Sequence, residues 1–220
     1  DKARQDNVLQ VVRACCHRGA GQGLSRKILG LTGGMGMGKS TVATLMRRAG
    51  LSVFDADAVV HHLQAPGGAA LPPIARLVPE AVKDGQLDRA ALRQAVLVHP
   101  ALLKKLEAIM HPLVRQARKH FLRRSRRQGA AWVVLDIPLL FETGGNRLCH
   151  KVVVVSAPTW VQRRRVALRR NMPHTQARRL IACQMPDARR VQKADTVIRT
   201  GLSIMETERQ VRRLLGSLRA

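Results

Sequence analysis

The sequence predicts an α/β protein: a three-layer fold, one sheet between layers of helices, with a helical insertion and a basic mobile segment. Three observations predict it. A short apolar strand over residues 28–32 runs into a glycine cluster and then into a helical stretch from Ser40. Val152 to Val155 are four consecutive valines, the mark of a parallel strand buried on both faces. Between residues 58 and 127 no convincing strand pattern occurs, only helical stretches.

Residues 1–27 read as an extension. Val8, Leu9, Val11 and Val12 leave it either a short helix or a disordered segment, and Gly19, Gly21 and Gly23 loosen its end. Residues 28–32 form the first strand. In the helix that follows, Val42, Leu45 and Met46 share one face, and Gly50 takes the usual position just past a helix end. Residues 51–54 make a second strand that ends at Asp55. Within 58–128, Pro66-Gly67-Gly68, Pro72-Pro73, Asp84-Gly85 and His99-Pro100 separate helical stretches. Residues 87–98 and 101–110 carry apolar side chains at helical spacing, and His111-Pro112 opens a further helix to about residue 127. Strands return at 131–135, which ends in Asp136, and at 151–155. An Arg-rich helix over 159–170, a helix over about 175–185, a fifth strand at 196–199 and an amphipathic helix over 205–218 complete the chain. The expected division is an extension (1–27), a core (28–57 and 129–220) and a helical insertion (58–128).

Bulk properties narrow the function. The chain has 220 residues, 45% of them hydrophobic, enough for a packed interior. No apolar run approaches the roughly 20 residues of a membrane span, and no secretory pattern opens the chain, so a cytoplasmic protein is expected. Cys15, Cys16, Cys149 and Cys183 lack paired zinc-ligand spacing and read as free thiols. The formal net charge is +25, which points to an anionic partner. The cations gather at 123–127, 163–170 and 189–193. Nucleic acid is the disfavoured partner: no nucleic-acid motif accompanies the charge, and aromatic residues are 2% of the chain.

The sharpest signal is Gly33-Gly34-Met35-Gly36-Met37-Gly38-Lys39-Ser40, a full match to G-x-x-x-x-G-K-[ST] with a strand before it and a helix after it. Such a loop wraps a polyphosphate with inward backbone N–H groups, and glycines keep side chains out of the way. Lys39 would reach the β- and γ-phosphates, Ser40 would ligate Mg²⁺, and Thr41 would add a phosphate contact. Asp55 and Asp57 lie just past the second strand, at the sheet edge where ligands sit. One of them could take the proton of an attacking hydroxyl or hold magnesium through water. Asp136, ending the third strand, resembles a Walker B carboxylate, with Glu142 a second candidate. Arg165 and Arg169 are four apart and share one helix face, suited to offsetting charge on a transferring phosphoryl group. A kinase for another small acceptor and a degenerate loop protein binding nucleic acid are the alternatives. The Asn-Lys-x-Asp motif of a GTPase switch does not occur.

These residues resemble the dephospho-CoA kinase family from about residue 28 to 215. The resemblance rests on Leu31 to Ala43, Asp55-Ala56-Asp57 with His61, Gly85 to Arg89 with Leu92-Arg93, and Leu106-Glu107-Ala108-Ile109-Met110-His111-Pro112. It continues through Asp136-Ile137-Pro138-Leu139-Leu140-Phe141-Glu142, Gln162 with Arg165 and Arg169, Gln184-Met185 and Ala194 to Ile198. It implies a P-loop kinase core of five parallel strands, a helical CoA-binding domain and a lid at about 160–190. The implied reaction is phosphorylation of the ribose 3′-hydroxyl of dephospho-CoA by ATP with Mg²⁺, the last step of CoA synthesis, in a protein expected to be a monomer. By motif, Gly34, Gly36, Met37, Gly38, Lys39, Ser40 and Thr41 would bind ATP. Asp57 would be the base, with Lys39 and Arg169 completing the catalytic set. His61, Leu87, Arg89 and His111 would join Asp57 in acceptor binding, and Ser40 and Asp136 would serve the metal. The chain departs from the family pattern at Met37, where a small Ser is commoner, at Thr200, where Asn is usual before Gly201, and at Arg170 to Pro173, where the lid is usually more acidic.

Overall fold

A computed structural model describes residues 27–219. The expected extension helix and the adjacent Cys15 and Cys16 lie outside the described residues. Five parallel strands form the central sheet: β1 (Lys27–Gly33), β2 (Ser52–Asp55), β5 (Trp132–Asp136), β6 (Lys151–Ser156) and β7 (Thr196–Arg199), in the order β2-β5-β1-β6-β7. The phosphate-loop strand is therefore central, between β5 and β6.

Alternation along each strand makes the three layers. Val134 in β5 and Val153 and Val155 in β6 face one core, with Leu29, Leu31, Val42 and Met46. Helices α1 (Lys39–Arg48) and α9 (Ile204–Arg219) close that side, and Trp132 Nε1 donates to the Leu218 carbonyl at 2.9 Å. Leu135, Val152 and Val154 face the opposite core, which also contains Phe54, Ile74, Leu106, Met110 and Val114. The insertion thus shares its core with the sheet.

That insertion holds α2 (Ala56–Leu63), α3 (Leu71–Leu77), a hairpin of β3 (Val82–Lys83) and β4 (Gln86–Leu87), α4 (Arg89–Val98) and α5 (Ala101–Arg127). Two expectations change here. The region does contain strands, joined by Asp84 (φ 49°) and Gly85 (φ 69°), a two-residue turn whose positive φ angles match the twist of a hairpin. Strands this short leave no readable alternation. Nor does a helix begin at His111-Pro112: α5 runs unbroken through Pro112. A proline inside a helix costs about 3 kcal/mol. The helix also buries Leu106, Met110 and Val114 on one face, each contributing about 1.5–3 kcal/mol, so packing outweighs the break.

In the last third of the chain α6 (Thr159–Arg170) and β7 fall where the sequence places them. The next helix is shorter than expected, α7 (His174–Ala182), and a separate α8 (Asp187–Gln192) follows. Pro186 sets the start of α8, as proline suits the entry to a helix.

Because both cores meet on one sheet, Met110→Ala should lower stability by about 2–5 kcal/mol through the cavity it leaves. The whole chain should still unfold in one transition. Trp132 fluorescence, read in a Trp160→Phe background because Trp160 is exposed, and far-UV dichroism in a denaturant series test this. A Trp132 midpoint that stays at the wild-type value would mark the insertion as independent.

Candidate active site

The phosphate loop joins β1 to α1 and lines a cavity of about 910 Å³. Gly36 (φ 75°) and Gly38 (φ 87°) adopt left-handed backbone. A Cβ on Gly36 would lie 2.7 Å from Val166 Cγ2, and one on Gly38 would lie 2.9 Å from Thr200 Oγ1. Glycine is required at both positions by conformation and by space. Met37 is 2% exposed, turned away from the cavity, and its sulfur accepts the Ala157 N–H at 3.1 Å. Its side chain anchors the loop from behind. The larger residue therefore leaves the cavity face of the loop clear.

Side chains far along the chain hold the loop in shape. Gln184 Oε1 accepts from Met35 N at 2.8 Å, and Gln162 Nε2 donates to Met35 O at 2.9 Å. Met35 itself packs against Val166, Ala167 and Ala177, between α6 and α7. Thr200 Oγ1 donates to Met37 O at 2.6 Å. Arg165 donates to Thr200 Oγ1 at 2.9 Å and to Thr200 O at 2.6 Å.

The acidic wall comes from sheet register. Asp55 in β2 pairs with Asp136 in β5, so both carboxylates arrive at one edge. Asp55 caps α2, accepting from Ala58 N at 3.0 Å, and Arg47 approaches its other oxygen at 3.5 Å. Both Asp55 and Asp57, the latter in the first turn of α2, line the cavity. Burial raises the pKa of Asp57, Lys39 opposes that, Asp55 adds to it, and His61 opposes it. Asp136 is 3% exposed and lies 2.5 Å from Lys39 Nζ. Burial raises its pKa too, against the attraction and hydrogen bond of Lys39, with Asp55 and Asp57 adding to the rise. One helical turn beyond Asp57, His61 also lines the cavity, and Arg89 Nη2 sits 2.6 Å from His61 Nδ1. Arg169 lines the opposite side beside Arg165, with Leu202 and Ile204 as an apolar part of the wall.

The comparisons with known proteins agree with one another. The dephospho-CoA kinase family profile matches residues 27–206. The chain belongs to the dephospho-CoA kinase family. It is 51% identical over 197 residues to the dephospho-CoA kinase of Gluconobacter oxydans, covering 88% of this chain and 98% of that protein. It is 52% identical over 164 residues to that of Paramagnetospirillum magneticum, covering 74% and 77%. A solved protein of Thermus thermophilus superposes with a TM-score of 0.74 at 37% identity, covering 88% of this chain and 98% of that one.

Against the dephospho-CoA kinase pattern, the expected residues divide into two groups. Gly34, Gly36, Gly38, Lys39, Ser40, Thr41, Asp57, His61, Asp136 and Arg169 meet at the cavity. Leu87 packs into the insertion core, and His111 lies on α5 away from the cavity wall. Arg89 reaches the site through His61. Glu142 lies outside the wall and pairs with Arg190 at 2.9 Å. Arg190 is 1% exposed, so the 189–193 cluster is not wholly a solvated surface. Gln162, Gln184 and Thr200 had no role assigned from sequence. The only hint of the first two was their place in the family motifs.

A carboxylate whose folded pKa is raised stabilises the fold below its unfolded value and loses that contribution as the pH rises through the folded one. Asp57→Asn should therefore melt above the wild type at neutral pH. The gap should close as the pH falls through the raised value to the ordinary carboxylate range near about 4. Thermal melts across that range check it, and a neutral-pH melting point below wild type would contradict the direction assigned to Asp57.

Proposed function

We propose that this family member transfers the γ-phosphoryl group of ATP to the ribose 3′-hydroxyl of dephospho-CoA, with Asp57 as general base. The observation that carries the reading is the division of labour between Asp55 and Asp57. Asp55 is engaged by the helix cap and Arg47. Both aspartates line the cavity of the phosphate loop, and burial raises the proton affinity of Asp57. A carboxylate of that kind is a stronger base than one in water.

The polyphosphate would lie along residues 36–41, where the Lys39 and Ser40 amides open α1 without acceptors of their own in the helix. Lys39 would exchange its carboxylate partner for the β- and γ-phosphate oxygens. The base of the nucleotide would lie against the apolar wall at Leu202 and Ile204. The acceptor would enter from the α2 side, past His61 and Arg89. Its 3′-oxygen attacks the γ-phosphorus as the bond to the β–γ bridging oxygen breaks. Asp57 takes the hydroxyl proton, and ADP leaves with the bridging oxygen. Arg169 would offset charge on the group in transit.

Magnesium fits this site as part of the ATP complex. Among the described residues no cluster of three or more His, Cys, Asp or Glu side chains could hold a metal ion. Ser40, exposed on the wall, can offer its hydroxyl to an ion carried on the phosphates. The buried Asp136, engaged by Lys39, could orient that ion's water shell. Magnesium would neutralise the phosphates and draw electron density from the γ-group.

The assay is ADP and CoA formation from ATP, Mg²⁺ and dephospho-CoA, beside a panel of nucleoside monophosphates. Turnover should be specific to dephospho-CoA and vanish with chelator. Folded protein that ignores dephospho-CoA would refute the reading. Lys39→Ala should abolish turnover, and Asp57→Asn should lower kcat about 10²-fold or more. The acid limb of kcat/KM should lie above the ordinary carboxylate range and be absent from the residual activity of Asp57→Asn. An unchanged kcat in Asp57→Asn would remove the base from the scheme.

A further inference from the structure

The residue that most directly joins the two sides of the cavity lies outside every assigned role. Thr200 follows β7, with its amide bonded to Ser156 O at 2.9 Å, and is 4% exposed. Its hydroxyl has one proton and can accept as well. Its neighbours fix how these are used. Met37 O can only accept, so it takes the proton at 2.6 Å. Arg165 Nη1 can only donate, so it gives a hydrogen bond to Oγ1 at 2.9 Å. Arg165 Nη2 donates to the Thr200 carbonyl at 2.6 Å. The guanidinium therefore grips both oxygens of one residue in a fork, a geometry that a single point charge does not reproduce. Arg165 Nη1 also points toward Gly36 O at 3.5 Å. One helical turn on, Arg169 is exposed and makes no side-chain hydrogen bond or ion pair among the described residues.

We infer that Thr200 is a positioning residue for nucleotide binding. Its hydroxyl couples the phosphate loop to Arg165 and fixes that guanidinium in the cavity wall before ATP arrives. This rests on the reading of the cavity as the ATP site. Two arginines on one helix face then do different work. Arg165 is a fixed cation whose ordering is complete in the free protein, and Arg169 is the arginine free to move. Preorganisation of this kind strengthens binding by lowering the ordering cost paid on association. Its loss should fall on ATP and spare the acceptor.

The test uses the full chain and four variants: Thr200→Val, which keeps shape and removes the hydroxyl, Thr200→Ser, Arg165→Met and the Thr200→Val/Arg165→Met double variant. KM is read for both substrates, and Kd for a non-hydrolysable ATP analogue. Thr200→Val should raise the ATP KM and analogue Kd about tenfold and leave the dephospho-CoA KM within about twofold. Thr200→Ser should restore ATP binding to within about threefold, since it keeps donor and acceptor. In the Arg165→Met background, Thr200→Val should cost clearly less than the roughly tenfold it costs alone, because the Arg165 link is already broken and only the bond to Met37 O remains to be lost.

Wild-type ATP binding by folded Thr200→Val would overturn the inference, as would a Thr200→Ser loss equal to that of Val. Independent, multiplying losses in the double variant would overturn it too, since the hydroxyl would then act on the loop alone. Should Thr200→Val fail to fold, Arg165→Lys carries the test. Lysine keeps the charge without the fork, and an unchanged ATP KM would be decisive against the inference. Analogue binding is separate from turnover. A chain that binds the analogue in this pattern and ignores dephospho-CoA would fail the proposed reaction and keep the inference.

Discussion

A glycine-rich loop cannot hold a polyphosphate cradle by itself; other parts of the chain must hold it open. Gly36 and Gly38 make the turn sterically allowed, and for the same reason they give the loop no stiffness of its own. Stiffness comes from hydrogen bonds that Gln162, Gln184 and Thr200 make to the backbone of Met35 and Met37. The buried Met37 side chain adds a contact from behind. All of these partners lie more than a hundred residues away in the chain. The braced loop thus exists only once β6, β7 and the α6–α8 segment have assembled on β1. A catalytic electrostatic site gains most from dipoles already aimed before the reaction, and this bracing supplies that rigidity.

The bracing also links the phosphate loop to the α6–α7 pair. Met35 inserts between these helices and packs with Val166, Ala167 and Ala177 in a small core of their own. A shift of α7 would be felt at Gln184 and so at the Met35 amide. Across the cavity the electrostatics are built from a similar tension. Strand register brings Asp55 beside Asp136, and Asp57 follows on α2; burial disfavours the charge of Asp57 and Asp136, while Lys39 works against that trend. Some of the net charge of +25 is structural: Arg190 is buried against Glu142, and the last turn of α5 ends in Arg126 and Arg127, where cations complement the helix dipole. Most of the excess has no structural explanation.

Much of the fold was legible because its signals are local. The valine run of β6, the limits of α6 and β7, and the strand–loop–helix unit at β1 follow from burial period and punctuation. The reading failed where a short-range rule met a longer-range force. Pro112 signals a helix boundary, yet the buried stripe of Leu106, Met110 and Val114 carries α5 past it. Asp84-Gly85 signals a hairpin, but with two residues on each side the alternation that would identify strands is missing.

The candidate site divides along the same line. The sequence by itself determined the family, the phosphate loop and the carboxylate pair at Asp55 and Asp57, because residue type and spacing within a few positions set that chemistry. Tertiary structure decided which aspartate is free, since only the geometry of a helix cap and Arg47 separates the two. It also decided that Leu87 packs as core, that Arg89 reaches the cavity through His61, and that Thr200 ties Arg165 to the loop. Each of these depends on a contact between residues distant in the chain, and such contacts leave no periodicity or motif in a linear sequence.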